Sequence, residues 1–117
     1  MKITVLVKQP GKIARVTEVE NSLEGFRSVV GDGLEEIPLD YDVLLSHIPG
    51  ICAFCNDEGK INNMKANFLI GNLFNGCYDV VCGPAVFAGV EDEDTVSLTE
   101  KQISMIKKAI KANEVIA

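Results

Sequence analysis

Residues 77–110 read CYDVVCGPAVFAGVEDEDTVSLTEKQISMIKKAI. Two short apolar runs meet at a Gly83-Pro84 corner, which reads as two strands joined by a turn. The acidic turn Glu91-Asp92-Glu93-Asp94 follows, and helical spacing begins after it. Thr99 is placed to cap the helix, with Gln102 three residues on as the second half of a capping box. Leu98 is placed to staple against Ile103. Ile103, Ile106 and Ile110 share one face, and Lys101, Lys107, Lys108 and Lys111 fall on roughly the opposite one. Strands followed by a helix that covers them predict an α+β fold. The block carries no recognisable catalytic constellation.

The rest of the chain extends this pattern. Residues 3–7 (ITVLV) form a β-branched run, Gln9-Pro10-Gly11-Lys12 a turn, and 13–19 (IARVTEV) a half-polar returning strand. Asn21 with Glu24 has capping-box spacing. Leu23, Phe26, Val29 and Val30 follow as a helical stripe, stopped at Gly31-Asp32-Gly33. Residues 34–39 and 41–48 read as strands with a tight join at Asp40, and Pro38 sits at an edge or strand end. Pro49-Gly50 turns into a strand at 51–55, followed by a polar turn at 56–60. Residues 60–76, broken by Asn and Gly, read as a long loop with room for one helical turn.

A chain of 117 residues, 47% hydrophobic and 24% charged, suits one domain over 1–117 with its own core. The apolar run at 85–90 is too short to span a bilayer. The opening MKITVLVKQPGK has neither the apolar core nor the cleavage site of a signal peptide, so a cytoplasmic location is expected. The net charge of −6 argues against binding to a nucleic-acid backbone or an anionic membrane. The absence of Trp weakens any base-stacking platform.

Chemistry-bearing residues are few. Cys52 with Cys55 and Cys77 with Cys82 have spacings seen in zinc sites. They lie in strand-like text, where partners at odd separation point to opposite faces, so buried reduced cysteines are expected and no metal site is assigned. A disulfide is not expected in the cytosol. His47 is the sole histidine and has no nucleophile or orienting partner near it in sequence, so no catalytic residue and no cofactor is assigned. The acidic turn lacks the ligand pattern of a calcium loop. The glycines and asparagines of 71–76 match no phosphate-loop motif. They still offer amides suited to a base or sugar. The lysine face of the last helix is where anions would gather, although lysines there also complement the helix dipole.

Several stretches together carry a family resemblance: MKITVLVKQPGK, VENSLEGFRSVVGDGLEEIPL, the turn NDEGK, Asn67, and YDVVCGPAVFAGVEDEDTVSLTEKQI. The chain resembles the uncharacterised family catalogued as domain of unknown function 3846, found in bacteriophages, prophages and Firmicutes. Relatives usually carry a Pro-rich stretch and an Asn-Arg pair in the 61–76 region, where Phe68 stands here in place of the Arg. The resemblance implies a phage or mobile-element accessory protein acting inside a bacterial host cell. Proteins of that setting often antagonise host defence, by sequestering nucleotide messengers or by binding a host protein.

The expectations are therefore these. The fold is α+β, a single antiparallel sheet of about five or six strands with two helices, the longer one C-terminal. The function is non-catalytic: an anti-defence sponge that sequesters a nucleotide immune messenger. Asn56, Lys60, Asn67 and Asn72 would make polar contacts, and Lys107, Lys108 and Lys111 would neutralise phosphate. The alternative is an acidic protein–protein interaction module that inhibits a host protein. A homo-oligomer would cover exposed edge strands.

Overall fold

The computed structural model describes residues 1–71 and 78–115. The chain runs β1 (Lys2–Lys8), β2 (Arg15–Glu20), α1 (Leu23–Val30) and β3 (Leu34–Glu36). Two 3-10 turns follow at Leu39–Tyr41 and Leu45–His47. Then come β4 (Ile51–Asn56), β5 (Ala66–Gly71), β6 (Tyr78–Cys82), β7 (Ala85–Glu91), β8 (Asp94–Val96) and α2 (Glu100–Asn113). The main sheet has the order β2-β1-β7-β4-β3, with β8 also paired to β7, and every pairing is antiparallel. β5 and β6 form a second, two-stranded sheet. The predicted α+β class and the longer C-terminal helix both stand; the second sheet is an addition.

Side-chain alternation sorts the core into two layers. Ile3, Val5, Val7, Cys52, Val86 and Ala88 pack with Phe26 and Val30 of α1. Leu6, Ala53, Cys55, Ala85 and Phe87 face the other way, under Ile106 and Ile110 of α2 and under Phe68, Ile70 and Val81 of the small sheet. Phe68 and Phe87 are fully buried, with ring centroids 5.9 Å apart. Burying each such ring is worth roughly 1.5–3 kcal/mol. Cys52 and Cys55 thus lie in different layers, as strand parity requires.

The start of α2 is built as its text predicts. The Thr99 side chain accepts from Gln102 N at 3.1 Å, and Gln102 Oε1 accepts from Thr99 N at 2.9 Å. The start of α1 differs from its text. Ser22, not Asn21, is the cap, and its hydroxyl accepts from Gly25 N at 3.0 Å. Position 25 must be glycine, because a Cβ there would lie 1.9 Å from Glu20 O. Asn21 instead ties the end of β2 to β8: its Nδ2 donates to Thr95 O at 2.9 Å, and its Oδ1 accepts from the Thr95 hydroxyl.

Two other expectations are corrected. Residues 41–48 are not a strand. Asp42, 1% exposed, turns the chain there: its Oδ2 accepts from Leu44 N at 3.0 Å and Leu45 N at 2.8 Å. Its Oδ1 accepts from Gly71 N at 2.8 Å and Asn113 Nδ2 at 3.1 Å, so one carboxylate joins a turn, β5 and the end of α2. An aspartate that binds backbone N–H groups two and three residues ahead favours a turn over a ladder. The 60–76 loop contains β5, whose Asn67 is buried in the small sheet; positions 72–76 lie outside the described residues. The acidic tetrad is the tip of a hairpin, as a solvated turn would be, and β8 forms its second strand. Glu91 pairs with Asp94, and Asp92 and Glu93 have φ of 50° and 72°, the pattern of a type I′ turn. Among the described residues, no helix is long and apolar enough to cross a membrane.

Candidate anion-binding cleft

The cleft begins with a lysine in a core register. On β1 the even positions face α2, so Lys8 follows Leu6 into that layer and is only 2% exposed. A buried ammonium requires partners. The Lys8 Nζ lies 2.9 Å from Glu114 Oε1 and donates to Gln9 O at 2.8 Å. Glu114 caps the C-terminal end of α2 and bridges to Phe68 of β5.

Two further elements complete the walls. The turn after β1 carries Lys12, Ile13 and Ala14. The last turns of α2 carry Lys107 and Lys111, one helical turn apart. Together with Lys8, Ile110 and Glu114 they enclose a cleft of ≈ 390 Å³. Four lysines therefore line one cleft, in a chain with 11 Lys and Arg in all and a net charge of −6. No ion pair to Lys12, Lys107 or Lys111 is present among the described residues. Ile13 is 91% exposed at the mouth, an apolar surface without cover.

The other described residues expected to bind a ligand lie elsewhere. Asn56 closes the end of α1: its Nδ2 donates to Val30 O at 2.9 Å, and its Oδ1 accepts from Glu58 N at 2.8 Å. Lys60 pairs with Asp79. That hydrogen bond holds the Asp79 carboxyl below its usual range and raises the Lys60 ammonium above its own. Asn56 and Lys60 border a smaller cavity of ≈ 170 Å³, which they share with Glu35, Asp57 and Asp79, so its charge is unsuited to an anion. Asn67 is fully buried; its amide donates to Lys8 O at 2.8 Å and Gly83 O at 2.9 Å. Its Oδ1 has no partner among the described residues. Lys108 borders a separate groove beside Leu44, Ile48 and Met105. Asn72 lies outside the described residues, as does Cys77. Of the six described residues expected at a site, Lys107 and Lys111 alone line the lysine cleft.

Lys8 and Lys12 escaped the sequence reading because both flank a turn, where lysine is ordinary. The signal was available in the strand parity of β1, which sends position 8 inward.

Burial, with Glu36 nearby, pushes the Cys52 thiol up to about 11. Burial, with Glu35 and Asp57 nearby, does the same to Cys55. His47 is exposed on a 3-10 turn. Among the described residues, no group of three or more His, Cys, Asp and Glu side chains is arranged to hold a metal ion.

A family model described as Domain of unknown function (DUF3846) matches residues 1–111. The chain belongs to this family. The matched span contains all four lysines of the cleft and ends before Glu114. No curated protein and no solved structure matches the chain.

Proposed function

We propose that this protein binds, without turning over, a small phosphorylated ligand of nucleotide type in the cleft between the β1–β2 turn and the end of α2. The observation that carries the reading is the convergence of Lys8, Lys12, Lys107 and Lys111 on one cleft in an acidic chain. The ≈ 390 Å³ volume suits a mononucleotide-sized body, within the range of small-molecule sites. Ile13, Ala14 and Ile110 offer it an apolar wall.

The lining supplies cations, apolar surface and one carboxylate already paired to Lys8. That favours holding a ligand over reacting with it, since general acid–base work needs a group poised to exchange a proton. Sequestration of a nucleotide messenger in a phage-infected cell is the biological form of this reading, and rests on the setting implied by the family resemblance.

A thermal-shift screen against mononucleotides, cyclic nucleotides and ADP-ribose tests it. One ligand is expected to raise Tm by several degrees, which corresponds to roughly 2–3 kcal/mol at saturating concentration. The shift should vanish in the Lys107→Glu/Lys111→Glu double variant. A panel with no shift in the wild type would sink the reading. Recovery of the ligand intact after heating the complex would separate binding from turnover.

A second reading, a protein–protein interaction module, has its own observation. Val43 is 49% and Leu44 40% exposed, beside the groove bordered by Met105 and Lys108. A stable complex formed through that face would leave the lysine cleft accessible, so Leu44→Glu should abolish it without changing nucleotide binding.

A further inference from the structure

Among the described residues, Glu114 is the one carboxylate in the lysine cleft. It follows α2 in extended conformation, with φ −64° and ψ 136°. The backbone fixes it there: Glu114 bridges to Phe68, and Val115 N donates to Asn67 O at 3.1 Å. Its side chain is 30% exposed, while the Lys8 side chain it meets at 2.9 Å is 3% exposed. The cation therefore sits at the back of the cleft and the anion between it and solvent.

We infer that the Glu114 carboxylate is a resident stand-in for the ligand's anionic group, and that a phosphate dianion displaces it to reach Lys8. This rests on the cleft being a ligand site. A buried ammonium left without a counterion is strongly unfavourable, so something negative must stay beside Lys8 in the empty protein. A tethered carboxylate does this at high effective concentration and without contact to any partner. It also sets what is admitted. A monoanion only exchanges one single charge for another at Lys8. A dianion meets Lys8 and also Lys12, Lys107 and Lys111, which have no ion pair among the described residues. The ligand class is thus a phosphate-bearing molecule whose body covers Ile13, rather than a simple carboxylate.

Inorganic pyrophosphate at low ionic strength is the probe, with binding followed by calorimetry on wild type and on Glu114→Gln. The variant keeps an oxygen for Lys8 but removes the competing charge. It is expected to bind pyrophosphate about tenfold tighter than wild type, a coupling of ordinary size for two groups contesting one position. In the wild type, the Glu114 carboxylate carbon resonance should shift on titration and saturate with the same Kd. That measurement decides the matter even where the variant folds poorly. Binding in the wild type with a Glu114 resonance that does not move, or with equal or weaker affinity in a folded variant, overturns this inference and leaves the cleft reading intact. No pyrophosphate binding by either protein overturns both.

Discussion

Two lysine–carboxylate pairs sit at different depths in this protein. Lys8–Glu114 has side chains 3% and 30% exposed, at the layer between the main sheet and α2. Lys60–Asp79 has side chains 57% and 75% exposed, at the rim of the smaller cavity. The partner chemistry is the same and the consequences are opposite. Water screens the exposed pair, so its worth is a fraction of a kcal/mol and it specifies little. At the buried pair the ammonium is obliged to have a counterion, which makes it a place where an external anion gains leverage. Depth, more than the presence of lysine, separates a site from a solvated face.

Replacements can widen that comparison or break it. The largest effect is expected at its extreme, a buried carboxylate held, among the described residues, by four donors and no cation. Asp42→Asn turns an acceptor into a donor facing N–H groups, and should destabilise by about 3–4 kcal/mol in urea denaturation. A loss under ~1 kcal/mol would show that these bonds are replaceable by water.

The buried pair comes next and should respond asymmetrically. Glu114→Ala strands the ammonium and should lower stability by about 3 kcal/mol, whereas Lys8→Met leaves a carboxylate that water reaches and should cost only about 1 kcal/mol. Equal losses in chemical denaturation would mean that the two partners are equally solvated.

The exposed pair closes the series: Asp79→Asn should change stability by less than about 0.5 kcal/mol. Its pH dependence has a definite sign. Asp79 is lowered from its ordinary 3.8, so its small contribution is present above that value and fades as pH falls through the depressed one. Lys60 is raised from 10.5, so its share is present below that value and is lost as pH rises through the elevated one. Denaturation midpoints of wild type and Asp79→Asn should therefore run parallel from about pH 5 to 9 and converge in acid.

The same contrast explains what the sequence disclosed. Local, short-range signals read correctly: Thr99 with Gln102, the Gly31 stop, and the odd spacing that sends Cys52 and Cys55 to different layers. The errors fall where a side chain answers a distant partner. YDVLLSHI has strand-like composition, yet Asp42 gathers N–H groups from its own turn and from Gly71. ANFLIG follows loop-like text, yet Asn67 is buried because β1 and the β6–β7 corner offer it carbonyls. Half of the lysine cleft was legible, as the helical spacing of Lys107 and Lys111. The other half was hidden, because Lys8 and Lys12 are 95 or more positions from that helix face.

The sequence by itself determined the α+β class, both helices, the N-terminal cap of the second, and the opposite facing of Cys52 and Cys55, because these follow from backbone geometry within a few residues. Only the tertiary structure decided which lysines meet, which carboxylate answers the buried one, and that Asn56 and Asn67 serve the fold. Those outcomes depend on burial, and burial is a property of the packed layers rather than of any single stretch of chain.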